Sequence, residues 1–159
     1  MAGKVNPISE AYPGATPYLC VHDAAGAIEY YKKAFGATER MRMGEPGGKI
    51  GHAEIQIGKA IIMLSDEFPE MGARSPKSLG GSPTATLLYF EDVDRTAKNA
   101  VAAGGKLVRP LQDQFYGDRS GKLEDPYGHA WWIASHIEDV SPEEMEKRAA
   151  AAATAGAGG

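Results

Sequence analysis

An internal repeat constrains this chain more than any other feature. Val21-His22-Asp23 and Phe90-Glu91-Asp92 each end a hydrophobic run and open a helix-like stretch, and the two aspartates stand roughly 70 residues apart. The first stretch, 24–35, stops at Gly36, and the second, 93–103, stops at Gly104-Gly105. Further on, Ile57-Gly58-Lys59-Ala60 matches Tyr127-Gly128-His129-Ala130 at nearly the same offset. Copies of this length exceed a single solenoid repeat. They predict a duplicated supersecondary unit, with a site where the two copies face each other.

Periodicity gives each copy the order β-α-β-β-β. In the first, 16–21 is a short strand and Asp23 caps a helix whose apolar stripe is Ala24, Ala27, Ile28, Tyr31 and Phe35. Strands follow at 38–43, 52–57 and 60–64, with a turn at 44–48 and a tight turn at Gly58-Lys59. The middle strand alternates polar His52, Glu54 and Gln56 with apolar Ala53, Ile55 and Ile57, as a strand with one buried face does. Residues 66–82, with Pro69, Pro76, Gly80 and Gly81, read as the linker. The second copy has strands at 84–90, 106–111, 116–123 and 130–135, and Asp92 caps its alanine-rich helix. The expectation is one α+β domain over 14–136, with modules at about 14–66 and 83–136. Ser141, Pro142 and Glu144 then start a helix over 141–153, and 154–159 is expected to be a flexible tail.

Bulk properties exclude some partners. A net charge of −4 argues against nucleic acid and anionic membranes, which require a basic face. There is no apolar run of the ~18 residues that a membrane helix needs. The start of the chain has no apolar segment of the signal-peptide kind, and a single cysteine, Cys20, cannot form an internal disulfide. The expected setting is cytoplasmic.

Three stretches resemble the vicinal-oxygen-chelate superfamily, which includes glyoxalase I, bleomycin-resistance proteins and extradiol dioxygenases. They are Cys20-Val21-His22-Asp23, then Ala27-Ile28-Glu29-Tyr30-Tyr31 with Phe35-Gly36-Ala37, and Glu124-Asp125-Pro126-Tyr127-Gly128-His129. More narrowly, Tyr116-Gly117-Asp118-Arg119, Trp131 and His136-Ile137-Glu138-Asp139-Val140-Ser141 resemble the branch named after phosphonate-operon protein B. The resemblance implies two tandem β-α-β-β-β modules whose mixed sheets form a cup. It also implies a homodimer, in which some relatives exchange modules.

The resemblance further implies a divalent metal held by His and Glu at four positions. Those positions align with Thr16, Met63, Ala85 and Trp132, and none is an acid or an imidazole. A slip of one residue does not restore the set. The expectation is therefore no metal and no cofactor. His52 and Glu54, at i and i+2 on one strand face, are the candidates for an acid–base pair or a shared metal. The alternative for them is an ordinary solvated strand face. His22, His129 and His136 read as structural or surface residues.

Strand alternation places Tyr18, Gln56, Met63, Leu87, Tyr89 and Trp132 on the cup faces, and Trp131 on the opposite face, against a helix. Such an apolar and aromatic wall suits a small molecule, though it equally suits a closed core or a dimer interface. Arg119 is a candidate partner for a ligand carboxylate or phosphate, or for Asp118, Glu124 or Asp125. Three functions follow. The first is a metal-free dimeric protein binding a small, partly apolar or aromatic molecule. The second is a lyase or isomerase using His52 and Glu54, with or without a metal. The third is an interaction module whose cup is only an interface.

Overall fold

The computed structural model describes residues 5–12 and 14–156, the last two by backbone alone. The first module comprises β1 (Tyr18–Val21), α1 (Ala24–Phe35), β2 (Thr38–Gly44), β3 (Ile50–Ile57) and β4 (Ala60–Asp66). The second comprises β5 (Ala85–Tyr89), α3 (Val93–Ala102), β6 (Lys106–Asp113), β7 (Asp118–Glu124) and β8 (Ala130–His136). Each forms its own four-stranded sheet, ordered β1-β4-β3-β2 and β5-β8-β7-β6. The strand before each helix pairs in parallel with the last strand of its module, and the other pairings are antiparallel. This is an α+β fold with two mixed sheets, in the element order that the repeat predicts and with the sheets that the resemblance implies.

The repeat reaches side chains that periodicity does not show. Asp23 and Asp92 cap α1 and α3 by accepting from Gly26 N and Arg95 N at 3.0 and 2.9 Å. The first helical N–H of each helix is held from the last strand of its module. Ala24 N donates to Asp66 Oδ1 at 2.8 Å, and Val93 N donates to Ser135 Oγ at 3.0 Å. Asp66 also accepts from Ile50 N at 2.7 Å, so one buried carboxylate ties α1, β3 and β4 together. Gly36 ends α1 at φ 67, a conformation that costs glycine little.

The helices cover one face of each sheet and lie against each other. Ile55, Ile62 and Leu64 of the first sheet and Trp131 and Ile133 of the second are fully buried there. Tyr31 and Phe35 of α1 meet Trp131 of β8 with ring centroids 5.4 and 5.1 Å apart, so the two modules share one core. Burial of Trp131 follows from its parity on β8.

Outside the modules the structure departs from the sequence reading. The linker holds a 3-10 turn at Pro69–Met71 and a short helix, α2 (Pro76–Leu79), each started by proline and ended by a glycine at positive φ. The C-terminal helix, α4 (Pro142–Gly156), continues beyond 153 into the expected tail, because the preceding alanines propagate a helix already started and the Thr154 hydroxyl donates back to the Ala150 and Ala151 carbonyls. Residues 157–159 of that tail lie outside the described residues. Among the described residues no helix is long and apolar enough to cross a membrane.

Candidate functional site

The sheet faces opposite the helices are open, and they carry the cup residues in two groups. In the first sheet, His52, Glu54 and Gln56 of β3 share a face with Tyr18 and Met63, because Tyr18 and Glu54 both pair with Met63 of β4. The Tyr18 hydroxyl lies 2.8 Å from His52 Nδ1, and His52 Nε2 lies 3.5 Å from Glu54 Oε1. Glu54 is only 5% exposed and is already well supplied with donors. Tyr12 donates to its Oε1 at 2.5 Å, and Arg40 donates to its Oε2 at 3.2 Å. The Tyr12 hydrogen bond, opposed by burial and helped by His52 and Arg40, holds the Glu54 carboxyl below its ordinary value. The same bond pushes the Tyr12 phenol up. Such a carboxylate is a weak base at neutral pH. Gln56 turns its Nε2 back to Gly58 O at 2.9 Å, within its own hairpin.

The second sheet presents Leu87 and Tyr89 of β5 beside Trp132 of β8, with Leu87 and Trp132 paired across strands. Asp118 of β7 is the buried acid of this face. Tyr89 donates to its Oδ2 at 2.5 Å, His136 Nδ1 lies 2.8 Å from its Oδ1, and His136 Nε2 lies 2.8 Å from Asp139. Burial pushes Asp118 up, but the Tyr89 and His136 contacts more than offset it, and its carboxyl sits below its ordinary value. Asp139 first, then Asp118, raise the His136 imidazole. Two adjoining hollows of about 170 and 230 Å³ share Tyr116, Ser120 and Trp132. Sequence reading missed this network. The signal was the parity of β7, where Asp118, Ser120 and Lys122 share a face.

That parity also corrects the reading of Arg119. It lies on the helix side of β7, away from the cup. It makes a two-pronged contact with Asp94 of α3, at 2.8 and 2.9 Å, and a third bond to Asp113 at 2.9 Å. Its guanidinium therefore fastens α3 to the sheet. Among the described residues its partners are Asp94 and Asp113, and not Asp118, Glu124 or Asp125.

The Asp125-Pro126-Tyr127-Gly128 turn is an anchor. The buried Asp125 carboxylate accepts from Tyr31 Oη at 2.6 Å and Trp131 Nε1 at 2.8 Å, and from Tyr127 N and His129 N at 2.9 Å each. His129 Nε2 in turn lies 2.9 Å from Cys20 O, linking the turn to β1. Around this turn and α2 lies a larger hollow of about 550 Å³, lined by His22, Lys77 and Lys106. Its Gly81, Gly104 and Gly128 N–H groups already donate to Pro76, Val101 and Asp125 carbonyls.

The residues at the implied metal positions do not fit a divalent cation. Thr16, Met63, Ala85 and Trp132 offer a hydroxyl, a thioether, a methyl group and an indole, where a metal needs carboxylates or imidazoles. Among the described residues no group of three or more His, Cys, Asp or Glu side chains is placed to hold a metal ion. His52 and Glu54 supply two donors, and Glu54 is engaged by Arg40 and Tyr12.

The model of the Glyoxalase/Bleomycin resistance protein/Dioxygenase superfamily matches residues 11–133. An uncharacterized protein of Mycobacterium bovis is 42% identical over 137 residues, covering 84% of this chain and 90% of its own. Protein YjdN of Escherichia coli is 28% identical, covering 74% of this chain and 92% of its own. Among solved structures, TioX from Micromonospora sp. ML1 is similar with a TM-score of 0.61 and 28% identity, over 77% of this chain and 97% of TioX.

Proposed function

Because the chain belongs to the Glyoxalase/Bleomycin resistance protein/Dioxygenase superfamily, we propose that it binds a small, partly apolar or aromatic molecule. The cup that holds it would be completed by a second copy of the chain, without the superfamily's usual metal. The observation that carries this reading is the state of the two open sheet faces. Tyr18, Leu87 and Tyr89 are 54, 52 and 56% exposed there, while the opposite faces are packed shut. Apolar surface of that extent calls for a cover. The adjoining hollows of the second sheet's open face, about 170 and 230 Å³, together reach only the lower end of the ~300–1,000 Å³ of a ligand pocket, and a facing wall would enclose a guest there. A second copy supplies one if the open sheet of one module faces the other module's sheet in its partner.

The proposal includes a cytoplasmic setting, in keeping with the single cysteine. It also includes the phosphonate-operon protein B-like branch, supported by the stretches at 116–119 and 136–141. Its test is a thermal-shift screen of small aromatic and amphipathic compounds, followed by calorimetric titration of a hit against wild type and Trp132→Ala. The expected result is at least about a tenfold loss of affinity, ~1.4 kcal/mol, with the fold intact. Unchanged affinity refutes the assignment, and a screen without any hit favours the interaction-module reading.

A second reading, a lyase or isomerase using His52 and Glu54, rests on the connected Tyr18–His52–Glu54 contacts. It is weaker, because Glu54 is engaged by Tyr12 and Arg40 and held below its ordinary value. Its test is loss of turnover in His52→Ala. Normal turnover in that variant removes His52 as the base.

A further inference from the structure

The two open faces differ in charge at equivalent positions. Glu54 pairs with Met63 on the first sheet, and Lys122 pairs with Trp132 on the second. On the first face the acid is matched within the chain by Arg40. On the second face the Arg109 guanidinium carbon and Lys122 Nζ lie 5.6 and 6.0 Å from the centroid of the Trp132 ring. Among the described residues neither cation has a carboxylate partner; the arginine ion pairs run through Arg40, Arg42, Arg95, Arg119 and Arg148. The acid of this wall, Asp118, has both oxygens engaged by Tyr89 and His136. Ser120 is 4% exposed, lines both hollows, and its Oγ has no hydrogen-bond partner among the described residues.

A buried hydroxyl left unpaired is costly unless a guest uses it. Two unmatched cations beside an indole repel a cationic guest and give a neutral one little in return for their own desolvation. An oxyanion gains on both counts, and a guanidinium presents it with a planar fork of donors. We propose that the second module's wall recognises an oxyanion, such as a carboxylate, sulfonate or phosphate-type group, carried on a planar apolar body. The body lies against Trp132, the oxyanion pairs with Arg109 and Lys122, and Ser120 supplies a hydrogen bond. This rests on the binding reading above and names the ligand class for the same cup.

The test uses two fluorescent probes of one scaffold, 8-anilinonaphthalene-1-sulfonate and its neutral counterpart N-phenyl-1-naphthylamine. Both are titrated into the full chain and its variants at low and high salt. In wild type the sulfonated probe is expected to bind at least about tenfold tighter at low salt, with the advantage shrinking as salt screens the charges. In Arg109→Gln/Lys122→Gln the sulfonated probe is expected to lose its advantage over the neutral one, and Trp132→Ala weakens both. Urea midpoints check that each variant is folded. If the double variant is not, Arg109→Gln alone, at an exposed position of β6, carries the comparison. Equal binding of the two probes by wild type, or an advantage that survives removal of the cations, overturns the oxyanion proposal and leaves the cup reading standing. Failure of both probes to bind, or binding indifferent to Trp132→Ala, overturns both.

Discussion

Replacing Asp125 with alanine probes the joint between the modules. Four donors converge on its carboxylate, and two of them, Tyr31 Oη and Trp131 Nε1, belong to fully buried side chains. Alanine strands both. Each unpaired buried donor costs about 1–3 kcal/mol, partly offset because the variant no longer desolvates a carboxylate. Tyr127 and His129 are half-buried residues in a turn, so water can restore some bonding to their N–H groups. A net loss of about 3 kcal/mol follows, a large part of the ~5–15 kcal/mol total typical of a domain. It corresponds to a fall in Tm of roughly 6–12 °C for a chain of this size. Urea unfolding followed by tryptophan fluorescence reads it directly. Tyr31→Phe in the wild-type background is expected to cost about 1–2 kcal/mol, and in the Asp125→Ala background to recover about 1–3 kcal/mol, since it removes a hydroxyl left unpaired. A loss below about 1 kcal/mol for Asp125→Ala, or an equal cost of Tyr31→Phe in both backgrounds, refutes the anchoring role.

Two further outcomes are expected. Ser120→Ala removes the unpaired buried hydroxyl and should stabilise the ligand-free protein by about 1 kcal/mol in urea, whereas a loss of stability would show that the hydroxyl is satisfied within the fold. His136 should titrate above its ordinary value of 6.5, as followed by NMR of its ring protons, and Asp139→Asn should lower the midpoint. Because the folded value is the raised one, the stabilisation is fully present below 6.5 and is lost as pH rises through the folded midpoint. A midpoint at or below 6.5 contradicts the Asp139 and Asp118 contacts.

The sequence showed the fold through two periodicities. The repeat set the element order, and parity set the faces, so Tyr18, Met63, Leu87, Tyr89 and Trp132 fall on the open sides and Trp131 on the closed one. Parity names a face and not a partner. Arg119 finds Asp94 on a helix far along the chain, and Asp66 and Ser135 reach back to the helix starts, contacts that exist only once the modules fold. Tyr12 precedes the first strand in a segment without periodicity, so nothing local announces its bond to Glu54. His52 and Glu54 were legible as neighbours because i and i+2 on a strand share a face. Their saturation by Tyr12, Tyr18 and Arg40 was not, since it depends on β1, β2 and the segment before β1. The Asp118–Tyr89–His136 set draws on three strands, and Asp118 was read only against its sequence neighbour Arg119.

The measurement that bears most directly on the shared cup is sedimentation equilibrium of the purified chain at micromolar concentration, with wild type compared to Leu87→Asp. The open faces predict a wild-type mass twice that of the 16.9 kDa chain, and a return to the single-chain mass when a charge is placed on the face of β5. A wild-type mass of one chain at every concentration would contradict a cup built from two copies.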